Sequence, residues 1–177
     1  MKIKSFFYIA FSILISFNSI AQNKERKFKI HTLAFYNLEN LFDTINDVNK
    51  NDEASPIMEI KFNRGNIYKQ KVANMARVIS EIGYDVTNRP PTIIGICEVE
   101  NRNVVEDLIA NEKLSKYNYG IVHYDSPDRR GIDVGLLYNK DIFKVINSNS
   151  HVLYINYNNT SDRSYTRDQL VVSGKLD

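Results

Sequence analysis

The stretch Thr92–Asn101, "TIIGICEVEN", decides the fold of this 177-residue chain. Its apolar run follows the prolines of "NRPP" and is typical of a strand that is covered on both faces, as in the parallel sheets of α/β proteins. Glu98 stands at the carboxyl end of that run, where open α/β sheets place their ligand sites. Because a buried carboxylate must be paired or bind a cation, Glu98 predicts either a salt bridge to an arginine or a metal site.

The segments on either side of this strand predict further strands and helices. Ile30–Tyr36 is predicted to be the first strand. Apolar residues recur every three or four positions from Tyr68 to Ile82, which indicates one helix that ends at Gly83. A second helix is predicted after the central strand, and we expect Asn103 and Glu106 to form its capping box.

The rest of the chain is predicted to be a meander of strands separated by polar turns. The predicted strands are Tyr117–Tyr124, Asp133–Tyr138, Phe143–Asn147, His151–Tyr154 and Gln169–Leu176. A polar loop, Asp43–Ile60, precedes the first helix. Strand, helix, strand, helix and then a strand meander predict a mixed-sheet α/β fold.

The first residues, Met1–Ala21, are predicted to be a cleaved secretory signal peptide. Lys2 and Lys4 come before an apolar stretch that ends in small residues. An uncleaved membrane anchor is the alternative, but the apolar stretch is shorter than the roughly 20 residues that a bilayer requires. We therefore expect residues 22–177 to form part of one secreted or periplasmic domain, with no stable membrane association after cleavage.

The charge balance excludes a globally basic protein. The chain has 23 Lys and Arg against 21 Asp and Glu, and the two extra lysines lie in the predicted signal peptide. Sequence-independent binding to nucleic acid usually draws on many contacts between Lys or Arg and phosphates, so a local site must supply any such attraction. Cys97 is the only cysteine and cannot form an internal disulfide, so an ordinary hydrophobic core must stabilise the domain.

Asn37 is the second candidate for a functional site, within "FYNLEN", Phe35–Asn40. If the first strand pairs in parallel with the central strand, the Asn37 amide oxygen comes close to the Glu98 carboxylate. An oxygen-only pair suits Mg²⁺, which takes one or two carboxylates and keeps water at its other positions. A simple turn residue is the alternative role for Asn37.

The third group of candidates lies in "DSPDRRGIDVGLLY", Asp125–Tyr138. Arg129 or Arg130 in this segment could hold a phosphate through paired hydrogen bonds, whereas a solvated hairpin turn is the alternative. Arg167, just before the last strand, allows the same two interpretations. His123 is interpreted as a core histidine.

Three segments together resemble the endonuclease/exonuclease/phosphatase superfamily, especially its secreted bacterial members. They are "FYNLENLFD" (35–43), "IIGICEVENRNVVEDL" (93–108) and "HYDSPDRRGIDVGLLYNK" (123–140). The resemblance covers the chain from about Leu33 to Asp177. It implies a four-layer α/β sandwich, in which two mixed β-sheets are flanked by helices, with a Mg²⁺-dependent phosphoesterase site at one end. Mn²⁺ is the alternative metal.

The resemblance also implies roles for individual residues. The first-strand Asn of the family falls on Asn37 and its metal-binding Glu falls on Glu98, so these two are the expected catalytic and metal-binding residues. Arg130, Asp133 and Arg167 fall in segments that border the substrate in the family, and we expect them to bind it.

The later motifs of the family are not found in this sequence. They are a His on a strand, a "GDFN"-like segment and a final "SDH"-like pair. We therefore expect the chain to be the amino-terminal part of a longer domain, truncated at its carboxyl end and inactive alone. The implied activity is Mg²⁺-dependent hydrolysis of a phosphodiester, with DNA, RNA, phospholipid headgroups and inositol phosphates as open substrates. The alternative is a non-catalytic exported binding or scaffold protein with the same fold.

Overall fold

The computed structural model describes residues 28–48 and 50–177. The predicted signal peptide, Met1–Ala21, lies outside the described residues. None of the helices in the described ranges has both the length and the apolar character needed to cross a membrane.

A four-stranded mixed sheet forms the centre of the molecule. Its strands are β1 (Leu33–Leu41), β2 (Ile93–Val99), β3 (Tyr119–His123) and β4 (Asp133–Asn139), in the spatial order β1-β2-β4-β3. β1 and β2 are parallel, whereas β4 runs antiparallel to both of its neighbours. A site between Asn37 and Glu98 depends on parallel pairing of the first strand with the central strand, and this pairing is present.

The helices are α1 (Pro56–Glu59), α2 (Arg64–Glu81), α3 (Tyr84–Thr87) and α4 (Arg102–Ala110), and a short 3₁₀ turn follows at Ser115–Tyr117. α2 buries the apolar face that its sequence period predicted, including Val72, Met75 and Ile79. Gly83 has φ 65°, a left-handed conformation that ends the long helix at little steric cost. The chain is thus an α/β protein with a mixed sheet and flanking helices, as predicted.

The central strand β2 differs from its prediction in how it is covered. Ile94 and Ile96 are fully buried in one core cluster with side chains of α2 and α4. Ile93 and Gly95, which point to the opposite face, are only half-buried in the described part of the chain. β2 is therefore packed under helices on one face and faces an open cleft on the other.

The second half of the described chain forms two small antiparallel pairs. β5 (Phe143–His151) pairs with β8 (Gln169–Leu176), and β6 (Ile155–Asn156) pairs with β7 (Arg163–Ser164). The predicted break between Phe143–Asn147 and His151–Tyr154 is wrong, because the ladder with β8 continues as far as His151. The last predicted strand, Gln169–Leu176, is confirmed at both ends.

Several element boundaries also differ from their predictions, among them the strand predicted as Tyr117–Tyr124, which covers only Tyr119–His123. β1 begins at Leu33 and runs on to Leu41, since it pairs with β2 along that length. The capping box at Asn103 and Glu106 does not form: Asn101 is the N-cap of α4, and its Oδ1 accepts a hydrogen bond of 3.1 Å from the Val104 amide. The helix therefore starts at Arg102, three residues after the end of β2, and its N-cap lies two residues before the predicted one.

An open cleft of about 850 Å³ lies between the outer face of the first sheet and β8. It is lined mainly by apolar residues, among them Phe35, Ile93, Leu136 and Leu170. Phe35 lies across Gly95, where a β-carbon would come within 2.5 Å of its ring. The outer face of the sheet is thus apolar and open to solvent in the described part of the molecule.

Candidate functional site

The carboxyl ends of β1 and β2 are irregular at the same edge of the sheet. Glu39, Asn40 and Glu98 have positive φ angles of 52°, 56° and 60°. The register shifts between Asn37 and Leu41, and again between Cys97 and Val99. Such bulges redirect side chains and are common beside active sites. The side chains of the polar residues at these strand ends therefore do not alternate between the two faces of the sheet as the other side chains do.

Asn37 and Glu98 lie at neighbouring strand ends. Asn37 pairs in register with Cys97, so it stands one residue from Glu98 across the parallel pair. Its Oδ1 accepts a 2.7 Å hydrogen bond from the Glu39 amide, the kind of local bond that a turn residue makes. The Glu98 side chain is 19% exposed, and its Oε1 lies 3.9 Å from Arg130 Nη2.

Two arginines, Arg130 and Arg167, lie at the same edge of the sheet, and both are close to the Asp128 carboxylate. Its Oδ2 lies 3.5 Å from Arg167 Nη1 and its Oδ1 lies 3.8 Å from Arg130 Nε. The structure thus brings together four of the five residues singled out from the sequence, with Arg130 between Glu98 and Asp128. The sequence analysis did not single out Asp128. Its position after Pro127 indicates a turn, and in the structure its Oδ1 accepts a hydrogen bond from the Arg130 amide.

Lys71 is a further cation that the sequence did not single out. It extends from α2 and donates to the carbonyl oxygens of Glu39 and Asn40, the two left-handed residues at the end of β1. Burial lowers the pKa of Lys71, and the nearby carboxylates of Glu39 and Glu98 oppose that effect. No sequence pattern distinguished Lys71 from the other polar residues of its helix.

Asp133, the fifth predicted residue, is engaged elsewhere. Its side chain is 1% exposed. Its Oδ2 lies 2.9 Å from Lys50 Nζ and 3.1 Å from His123 Nε2, and its Oδ1 accepts bonds from the Ser126 amide and hydroxyl. Burial raises the pKa of Asp133, but these hydrogen bonds outweigh it and hold the pKa below its usual value. Asp133 therefore contacts Lys50, His123 and Ser126 rather than the arginines.

His123, Asp125 and Asp133 form the group of metal-ligand type found among the described residues, with ligand atoms within 4.8 Å of one another. The ammonium group of Lys50 lies among them, 3.0 Å from Asp125 Oδ1, and also donates to the Glu100 carbonyl. The cluster already holds a cation supplied by the chain itself. His123 is buried and paired with Asp133, in agreement with its interpretation as a core histidine.

Glu100, two residues beyond Glu98, is buried. Its Oε2 accepts a 2.8 Å hydrogen bond from the Asp43 amide. Burial raises the pKa of Glu100 to about 7, and the carboxylates of Asp43 and Asp52 raise it further, whereas the hydrogen bond and Lys50 lower it. Glu100 thus attaches the loop after β1 to the end of β2.

The residues at the Glu98 edge suit a hard divalent cation. Within residues 28–48 and 50–177 the partly buried Glu98 carboxylate accepts no hydrogen bond, so its oxygens are available to a metal ion. Asn37 stands one residue away across the parallel pair. The carboxylate and the amide at this edge offer oxygen ligands, which fit Mg²⁺ or Mn²⁺.

Comparison with known proteins identifies a family for this chain. A sequence model described as "Endonuclease/Exonuclease/phosphatase family" matches residues 32–177. A search of curated proteins found no match.

Two solved structures resemble the chain. One is an endonuclease/exonuclease/phosphatase from Bacteroides vulgatus, with 18% identity, a TM-score of 0.44, and coverage of 81% of this chain and 44% of that one. The other is ANGEL2, titled a 2',3'-cyclic phosphatase, with 16% identity, a TM-score of 0.38, and coverage of 58% and 26%. The matched part spans less than half the length of each of these chains.

Proposed function

The chain belongs to the endonuclease/exonuclease/phosphatase family, and from that premise we propose that its Glu98 edge is part of a Mg²⁺-dependent phosphodiesterase site. The observation that carries the proposal is the partly buried Glu98 carboxylate, which has no hydrogen bond within the described ranges, lies 3.9 Å from Arg130 and stands at the strand end next to that of Asn37. A structural salt bridge to Arg130 alone accounts less well for Glu98, because 3.9 Å is too long for a hydrogen bond.

The groups of the chain have distinct tasks in this proposal. Glu98 and Asn37 hold Mg²⁺, which when bound polarises a phosphoryl oxygen and stabilises developing negative charge. Arg130 and Arg167 orient the phosphate through paired hydrogen bonds. Arg130 is half exposed and only loosely paired, so it can turn from Asp128 to a substrate. Asp128 keeps both guanidinium groups at this edge while no substrate is bound.

A single substitution tests the assignment. Glu98→Gln preserves the size of the side chain and removes its charge, so in a completed chain that carries the family's later motifs we expect Mg²⁺-dependent hydrolysis of bis-p-nitrophenyl phosphate to fall by at least about 100-fold, the scale of one major electrostatic contribution. Calorimetric titration with Mg²⁺ alone should show weaker binding. Glu106→Gln is the matched control, because Glu106 is an exposed carboxylate on α4 that pairs with Arg102.

Two outcomes would count against the proposal. Undiminished hydrolysis by the Glu98→Gln protein would show that the metal assignment is wrong. A wild-type chain that shows no Mg²⁺ binding in the calorimetric titration would favour the alternative of a non-catalytic exported protein with the same fold.

A further inference from the structure

The hairpin of β6 and β7 carries an arginine between two tyrosines. Arg163 Cζ lies 4.4 Å from the centroid of the Tyr154 ring and 4.5 Å from that of the Tyr165 ring. Guanidinium groups stack in this way on aromatic faces. We call Tyr154, Arg163 and Tyr165 the tyrosine–arginine stack.

Two donors of the Arg163 guanidinium group lack an acceptor among the described residues. Its Nε and Nη2 are buried, and neither has a hydrogen-bond partner in the part of the chain that the structure describes. Leaving the donors of a charged group unsatisfied is costly. An anionic oxygen beside the stack would remove that cost. Tyr154 is 74% exposed, so its ring can rotate away from the guanidinium edge with little loss of packing.

The stack adjoins the Glu98 edge through a continuous set of contacts. Arg129 Nη1 lies 3.1 Å from the hydroxyl of Tyr157, in the turn of the same hairpin. Thr166 and Arg167, just after the stack, lie 3.5 Å from Asp128 Oδ2. Because Arg130 connects Asp128 with Glu98, a substrate held at Glu98 can extend onto the hairpin.

The exposed rings and the charge balance favour one kind of polyanion. Tyr157 and Tyr165 are also exposed, so several ring faces are open to stacking. Residues 22–177 are formally neutral, and Asp162 and Asp168 offset part of the positive charge on the hairpin. A duplex binder depends on many cationic contacts, whereas a single strand offers unpaired bases that stack on aromatic rings.

We propose that the hairpin, Tyr154–Tyr165, binds single-stranded nucleic acid, with Arg163 contacting a backbone phosphate and the tyrosine rings stacking on unpaired bases. The inference rests on the proposed function, since it names the substrate class of the same site. It accounts for the buried donors of Arg163 and for the exposure of three tyrosines on one hairpin.

Binding measured without catalysis tests this inference. The probe is a fluorescein-labelled oligodeoxythymidylate of about 12 nucleotides, and its anisotropy is followed with excess EDTA so that hydrolysis does not interfere. We expect Arg163→Met and Tyr154→Leu each to weaken binding by about tenfold, the scale of one lost stacking or phosphate contact. A duplex of the same length should bind more weakly than the single strand.

Matched controls lie on α2 and α3. Arg77→Met removes an exposed arginine that pairs with Glu81, and Tyr84→Leu removes an exposed tyrosine. Both controls should bind the oligomer as the wild type does. Thermal unfolding of every variant checks its fold. If Arg163→Met is unfolded, the binding measured for Tyr154→Leu tests the inference, because the Tyr154 ring is mostly in solvent and its loss should not disturb the fold.

The outcomes separate the two proposals. Absence of binding by the wild type, equal binding by the hairpin variants, or tighter binding of the duplex would overturn the inference. Calorimetric binding of Mg²⁺ by the wild type is measured separately and tests the proposed function alone. Binding of the oligomer by a wild type that binds no Mg²⁺ would support the hairpin site and contradict the phosphodiesterase.

Discussion

Glu98 and Glu100 lie two residues apart at the end of β2, and their surroundings are opposite. Glu98 occupies a bulge with φ 60° and accepts no hydrogen bond from the described residues. Glu100 is 1% exposed and accepts the Asp43 amide. The bulge breaks the alternation of the strand, so one carboxylate is available to a ligand while the other fixes a loop.

The raised pKa of Glu100 predicts a pH dependence of stability. Its pKa is about 7 in the folded chain, against an ordinary value of 4.5. A carboxyl group whose pKa is raised by folding contributes stability that is complete below about 4.5 and is lost as the pH rises through about 7. We expect the free energy of unfolding of the wild type, relative to Glu100→Gln, to fall over this range.

Urea unfolding in EDTA at several pH values between these limits measures the effect. Glu106→Gln serves as the control, since its carboxylate is exposed. If Glu100→Gln and the wild type show the same pH dependence, Glu100 is not the titrating group.

At the scale of elements, one lysine fixes the loop between β1 and α1 to the sheet. Lys50 bonds to Asp125 beyond β3, to Asp133 at the start of β4 and to the Glu100 carbonyl after β2. The ends of three strands therefore meet at one ammonium group. A largely buried cation with these partners holds the strand ends next to the Glu98 edge in place.

Removal of Lys50 should be costly. Lys50→Met keeps much of the apolar stem and leaves the buried Asp133 carboxylate with only His123 and Ser126. We expect a loss of about 3 kcal/mol in the free energy of unfolding, the scale for breaking a buried ion pair from one side. Urea denaturation measures it.

The control for Lys50 is Lys113→Met, which changes an exposed lysine outside the network. A loss no larger than that of the control would show that the network carries little stability.

At the scale of the whole molecule, the outer face of the first sheet is an unpacked apolar surface among the described residues. Phe35 is 72% exposed and Leu33 is similarly open, beside the cleft of about 850 Å³. Contiguous exposed apolar surface of this kind recruits dyes and other chains. The helix-covered face, by contrast, is closed by fully buried residues such as Ile94 and Leu137.

We therefore expect residues 22–177, expressed alone, to bind a hydrophobic dye and to self-associate. Phe35→Ser should reduce dye fluorescence, because it removes the largest exposed ring beside the cleft. Val48→Ser, which changes an exposed apolar residue that does not line the cleft, should not. A monomer in sedimentation that binds no dye would contradict this prediction.

The sequence by itself determined the α/β class, the long helix ending before Gly83, and the placing of Asn37 beside Glu98. The helix follows from a local period of apolar residues. The site follows from topology, since the carboxyl ends of neighbouring parallel strands meet at one edge. The sequence did not determine that β5 continues to His151, because pairing with β8 sets that length.

Only the tertiary structure decided which charged groups are partners. Lys50 and Asp133 are separated by 83 positions, and Asp128 reaches Arg167 across 39. No local spacing relates residues so far apart in the sequence, and from the sequence each of these charged side chains could equally have been exposed to solvent. A charge that is removed from water needs a partner within a few ångströms. The fold alone determines which side chains are buried and which partner lies next to each of them.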